Sequence, residues 1–200
     1  MGQAGGHPAA VQTPHTATGL DNRKLGMWAF LGSECLFFGA LISSYLLYRG
    51  RSIVGPYPED VYDIPYTSVS SFVLLMSSLT MVLALNAIQR GDHRKLRAWL
   101  LATALLGITF VGGQVFEFTV FVKEGLTISR NLFGSSFFVL TGFHGAHVTV
   151  GILMLLTLFG QSLSGHLPTE RALRVELIGL YWHFVDIVWI VIFTIVYLIP

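Results

Sequence analysis

The stretch from Gly26 to Tyr48 is a run of 23 residues, mostly apolar, that carries one ionisable carboxylate, Glu34. Arg23 and Lys24 precede it; Arg49 and Arg51 follow. A helix of this length crosses a hydrocarbon layer about 30 Å thick. Glu34 stands more than two turns inside it. A carboxylate at that depth costs a few kcal/mol on insertion scales unless it faces protein, water or a partner. What Glu34 faces is therefore the functional question.

The rest of the chain has the same character. Charged residues make up 12% of it, against about 25% in a soluble domain. Four more apolar runs follow the first, which spans about 25–48: 66–89, 98–121, 132–160 and 177–199. The expected fold is all-α, a polytopic membrane bundle of five transmembrane helices. The domains are a disordered polar tail over 1–22 and a membrane domain over 23–200. The tail has no apolar segment typical of a signal peptide, and its His7 and His15 read as solvated. Asp21 and Asn22 are positioned to cap the first helix. The loop 49–65 holds Pro56, Pro58 and Pro65 with Glu59, Asp60 and Asp63, a pattern of extended chain. No repeat at a fixed period is present.

A net charge of +1 leaves no basic face for nucleic acid. The single cysteine, Cys35, excludes an intramolecular disulfide and a multi-cysteine metal site. Lysine and arginine set the orientation. Eight lie on the side of the tail and the second and fourth loops, four on the other. The N-terminus is then cytoplasmic and the C-terminus outside.

Six polar residues fall within the spans. Glu117 lies near the outer end of the third and His183 near the inner end of the fifth, where each can reach the headgroups. Asp186 follows His183 by three residues and can pair with it. These three read as structural. Glu34, His144 and His147 are harder to place at a membrane surface. The two histidines are three residues apart, glycines at 142 and 145 admit a close neighbour, and a carboxylate at similar depth is their natural partner. The cluster can serve as helix glue, as a proton-transfer element or as a metal site. A metal is the weakest of these, because carboxylate-bridged centres in bundles use more carboxylates and Glu-x-x-His spacing. No Cys-x-x-Cys-His haem site, catalytic triad or phosphate loop is present.

Five motifs carry a resemblance. Tyr181-Trp182-His183-Phe184-Val185-Asp186-Ile187-Val188-Trp189 resembles the last helix of subunit III of haem–copper terminal oxidases. Thr141-Gly142-Phe143-His144-Gly145-Ala146-His147-Val148 resembles the helix before it. Gly32-Ser33-Glu34-Cys35-Leu36-Phe37-Phe38, Gln114-Val115-Phe116-Glu117-Phe118 and the loop from Arg90 to Lys95 match in order. The resemblance spans about 23–199 and is to the five-helix bacterial form. It implies a subunit without a redox centre or catalytic residues of its own. Haem and copper would sit on partner subunits I and II, with subunit I the main contact. It further implies bound phospholipid in an interhelical cleft, support of proton uptake and sustained turnover, and a place in the bacterial plasma membrane. Glu34 aligns with the family's buried, carbodiimide-reactive glutamate and would line that cleft with His144 and His147. Some relatives carry an arginine near a lipid headgroup at the inner end of the fourth span, where this chain has Gly160. Two alternatives stay open: subunit III of a quinol oxidase or an accessory subunit of a nitric oxide reductase, and, from another class, an independent proton channel or transporter.

Overall fold

The computed structural model describes residues 21–49, 51 and 63–199. The proline-rich part of the first loop and the tail histidines lie outside these. Five helices run along the chain: α1 (Asn22–Tyr48), α2 (Ile64–Gln89), α3 (His93–Lys123), α4 (Leu132–Leu163) and α5 (Ala172–Phe193). A 3₁₀ turn, Thr169–Arg171, leads into α5, and a π-helical segment, Thr194–Leu198, ends it. All five are long and apolar enough to cross a membrane.

Local chemistry fixes where each helix begins. Asp21, Asp63, Asp92 and Asn131 each accept a backbone N–H from the first turn of the helix that follows, at 2.8, 3.1, 3.0 and 2.6 Å. These caps lie in the polar connections, so α2 and α3 start ahead of their apolar runs. α3 takes in Arg94, Lys95 and Arg97, whose charges stay at the water side. The Lys95 N–H holds the Asp92 carboxyl below its ordinary value of 3.8. Since the folded value is the lower one, this cap contributes fully above pH 3.8 and is lost only as pH falls through the folded value.

The helix ends are equally local. Gly91, Gly125 and Gly165 take positive φ after α2, α3 and α4. The next residue in each case donates back to a carbonyl five residues earlier. That is the left-handed glycine cap. Arg97 at the start of α3 also donates to Ser162 O at the end of α4, at 2.9 Å.

α2 to α5 form a four-helix core, with α2 on α3 and α5, and α4 on α3 and α5. α1 lies on the outside of α4 and α5 and buries only Leu31, Phe38 and Tyr45, spaced by seven. A seven-residue spacing keeps one narrow seam in contact. Lys24 closes its N-terminal end on Glu176 of α5 at 2.5 Å, an ion pair about one-third exposed and worth ~0–1 kcal/mol. Arg49 closes its C-terminal end by donating to the carbonyls of Ile195 in the π segment and Ile199 just after it.

α5 is the central helix. Trp182 fills the space left by Gly107 of α3 and Gly151 of α4; a methyl on either glycine would stand 2.7 or 2.8 Å from the indole. The Trp182 N–H donates to Ser77 Oγ at 2.9 Å, and that of Trp189 to Ser71 Oγ at 2.8 Å. Both serines give their own hydroxyl proton to a carbonyl of α2 and so present a lone pair to the indole. Large rings against small residues let α2, α3 and α4 close around α5 where lipid supplies no hydrophobic driving force.

Candidate functional site: the buried acid and the intramembrane histidines

Glu34 and His147 face each other across the seam between α1 and α4. Glu34 Oε2 lies 3.2 Å from His147 Nε2, both side chains being less than one-fifth exposed. The approach is off the hydrogen-bond line, so the contact is electrostatic. His147 Nδ1 lies 2.7 Å from Phe143 O. A carbonyl only accepts, so Nδ1 carries the proton in that contact. The Nε2 of a neutral ring is then a bare lone pair turned toward a carboxylate. The contact is attractive only with one further proton, on the ring or on the carboxyl. The pair is thus built to hold one proton near the middle of α4.

The walls are aromatic. Phe38 stands edge-on to His147 at 5.1 Å, and Phe37 and Phe143 meet at 5.2 Å. The Tyr181 hydroxyl donates to His147 O at 3.0 Å while Phe30 stacks on its ring. Toward the N-terminal end of α1, the helices α1, α4 and α5 leave a cavity of about 460 Å³. Met27, Val150, Leu153 and Leu177 are among its apolar walls, and Gln161 and Arg174 stand at its polar end, joined at 3.2 Å.

His144 does not join this pair. It is fully buried on the core side of α4, stacked on Trp189 at 4.9 Å with Phe110 edge-on at 6.0 Å. An offset of three residues turns a helical side chain through about 60°, enough to put the two histidines on opposite sides of the α4 contact line.

Glu117, expected within reach of the headgroups, is instead turned inward and 5% exposed. Its Oε1 accepts Thr67 Oγ1 of α2 at 2.7 Å and the Tyr197 hydroxyl of the π segment at 3.3 Å. His183 and Asp186 do not pair. α5 begins five residues before its apolar run, so His183 lies about 16 Å along it, at mid-depth rather than at the inner end. Its Nδ1 meets Ser78 Oγ of α2 at 2.6 Å, and the buried Asp186 carboxylate has no hydrogen-bond partner. Among the described residues no three His, Cys, Asp or Glu are grouped to hold a metal. The serines that receive the indoles, and the Arg49 clasp, carried no sequence signal beyond small or basic residues at helix positions.

The sequence has counterparts among known proteins. The family model for cytochrome c oxidase subunit III matches residues 6–199. The chain belongs to the cytochrome c oxidase subunit III family. Cytochrome c oxidase subunit 3 of Bacillus sp. (strain PS3) is 38% identical over 191 residues, covering 96% of this chain and 92% of the relative. Cytochrome bo(3) ubiquinol oxidase subunit 3 of Pseudomonas aeruginosa is 36% identical over 195 residues, 98% and 93% of the two chains. Quinol oxidase subunit 3 of Bacillus subtilis is 38% identical over 174 residues, 87% and 85%. Membership in the subunit III family makes this a multi-pass subunit of a terminal oxidase complex. Glu34, His147 and the aromatic seam are thus features of an oxidase subunit III, set where α1 meets α4.

Proposed function

We propose that the chain is the non-catalytic subunit III of a proton-pumping cytochrome c oxidase in a bacterial plasma membrane. In this reading it packs on subunit I, beside subunit II, with its N-terminus cytoplasmic. Haem and copper stay on those partners, and this chain holds phospholipid and a proton-bearing pair that sustain proton uptake. The observation that carries the reading is the Glu34–His147 contact between α1 and α4, together with an apolar cavity walled by the same helices and α5. An acyl chain fits the apolar walls, and a lipid phosphate fits Arg174, which takes the place of the arginine absent at Gly160. Residues 1–22 serve as a polar tail ahead of the membrane domain.

A quinol oxidase is the second reading, because a relative matching 98% of the chain is named for ubiquinol and one matching 87% for quinol. Purification through a tag on the tail decides between them by optical spectrum and metal content. Haem with copper beyond a single ion is the expected result. Haem with one copper assigns the chain to a quinol oxidase, and a stable chain free of both revives an autonomous proton channel. Within the complex, Glu34→Ala is expected to leave the haem spectrum intact. It should cost about 1–3 kcal/mol by depriving a largely buried imidazole nitrogen of its partner. It should also lower bound lipid phosphorus or shorten active life during turnover. Unchanged lipid content together with unchanged inactivation kinetics would remove Glu34 from this role.

A further inference from the structure

Four polar atoms inside the bundle have no hydrogen-bond partner among the described residues: both ring nitrogens of His144 and both amide atoms of Gln114. His144 is fully enclosed and Gln114 is 4% exposed. Each stands more than two turns from the nearer end of its helix, α4 or α3. Bare donors and acceptors at that depth are costly, and hydrocarbon offers them nothing.

The two residues share one level of the α3–α4 contact. Phe110, one turn before Gln114, stands edge-on to His144 at 6.0 Å. Gln114 Oε1 lies 3.4 Å from the point where a methyl on Gly145 would sit. Apart from the α4 backbone around Gly145, no other described atom comes within 4 Å of that point, so space is left beside the amide. Thr141, one turn before Gly145 on α4, gives its hydroxyl proton to Phe137 O and keeps a lone pair free. Donors and acceptors are therefore mixed. Gln114 brings two N–H and an oxygen, and a neutral imidazole brings one N–H and one bare nitrogen. An anion would leave the acceptors unmet and a metal the donors. A ligand that both donates and accepts, and that fits the space one small side chain leaves, is water.

We propose that Gln114 and His144 hold an ordered water beside Gly145, which ties α3 to α4 inside the membrane through hydrogen bonds to the amide and the imidazole. The site lies on the core side of α4, apart from the Glu34–His147 pair, and stands whichever electron donor the complex uses.

The test uses the full chain in lipid bilayers, with isotope-labelled histidine read by solid-state NMR. Magnetisation should pass from water to the His144 ring, whose signals are identified by their loss in His144→Phe. The exposed His166 in the loop after α4 is the positive control. In Gly145→Ala the new methyl meets Gln114 Oε1 at ordinary contact distance, so α4 should form as before while the methyl takes the water's place. Transfer to His144 should then be lost and that to His166 kept. No transfer to His144 in the unmodified chain, or equal transfer in Gly145→Ala, would overturn the site. A second measurement needs no assignment of signals. Gln114→Leu and His144→Phe should each lower the midpoint of unfolding in a denaturing detergent, because each leaves the other residue bare. The double variant should lose less than the sum of the two. Strictly additive losses would show that no shared water couples them.

Discussion

Trp182→Ala is expected to destabilise the bundle by about 3–5 kcal/mol, the range for emptying a large aromatic site in a protein interior. The indole is the piece on which α2, α3 and α4 converge. It lies against Gly107 and Gly151 and donates to Ser77. In lipid the loss is one of contact and shape, since the surround is as apolar as the side chain removed. Titration of the purified chain with a denaturing detergent should show it, as a lower midpoint for Trp182→Ala. Trp182→Phe keeps most of the ring and loses the N–H, for which about 1 kcal/mol is expected. Gly151→Leu approaches the same site from the other side. Its first carbon already stands 2.8 Å from the indole, so the variant should separate α4 from α5. A midpoint for Trp182→Ala equal to wild type would mean that the neighbouring helices collapse into the space.

The second large effect belongs to Glu117. Glu117→Leu removes the acceptor through which α2 and the end of α5 are tied to α3, at an expected cost of about 1–3 kcal/mol. Glu117→Gln keeps an oxygen for the same two hydroxyls and should stay within about 1 kcal/mol of wild type. The change should be local. Amide exchange over Thr194–Ile199 should speed up in Glu117→Leu, because the Tyr197 hydroxyl of the π segment then loses its carboxylate partner. Equal exchange in the two variants would show that the Glu117 contact does not hold the segment.

What could be read from the sequence follows how local each cause is. The five spans are legible because each needs only a long apolar run. Asp21 is legible as a cap because the capping group lies two residues from the N–H it accepts. The Glu34 partner was legible in kind, since a buried carboxylate demands one. Which histidine it takes was not, because His144 and His147 lie on either side of the line along which α4 meets its neighbours. Helical period gives the face of a residue and leaves the facing helix unnamed. The same limit hid the serine acceptors for Trp182 and Trp189 and the inward turn of Glu117. His183 was misjudged in depth for a different reason: charged and polar residues at the start of α5 are helical, and counting apolar residues alone places the helix start too late.

The loose seating of α1 sets an order on biosynthesis. Only 11% of its apolar stretch is enclosed by the rest of the bundle, against 50% for the last span. Its described partners are α4 and α5, which leave the ribosome last. The first helix to enter the bilayer therefore waits in lipid while α2 and α3, joined by the tight Gly91 turn, fold together beside it. The Glu34 carboxyl travels without His147 through that interval. The acid that organises the finished site is thus the most vulnerable point of the unfinished chain, and a nascent chain stalled before α4 should be a preferred substrate for membrane proteolysis.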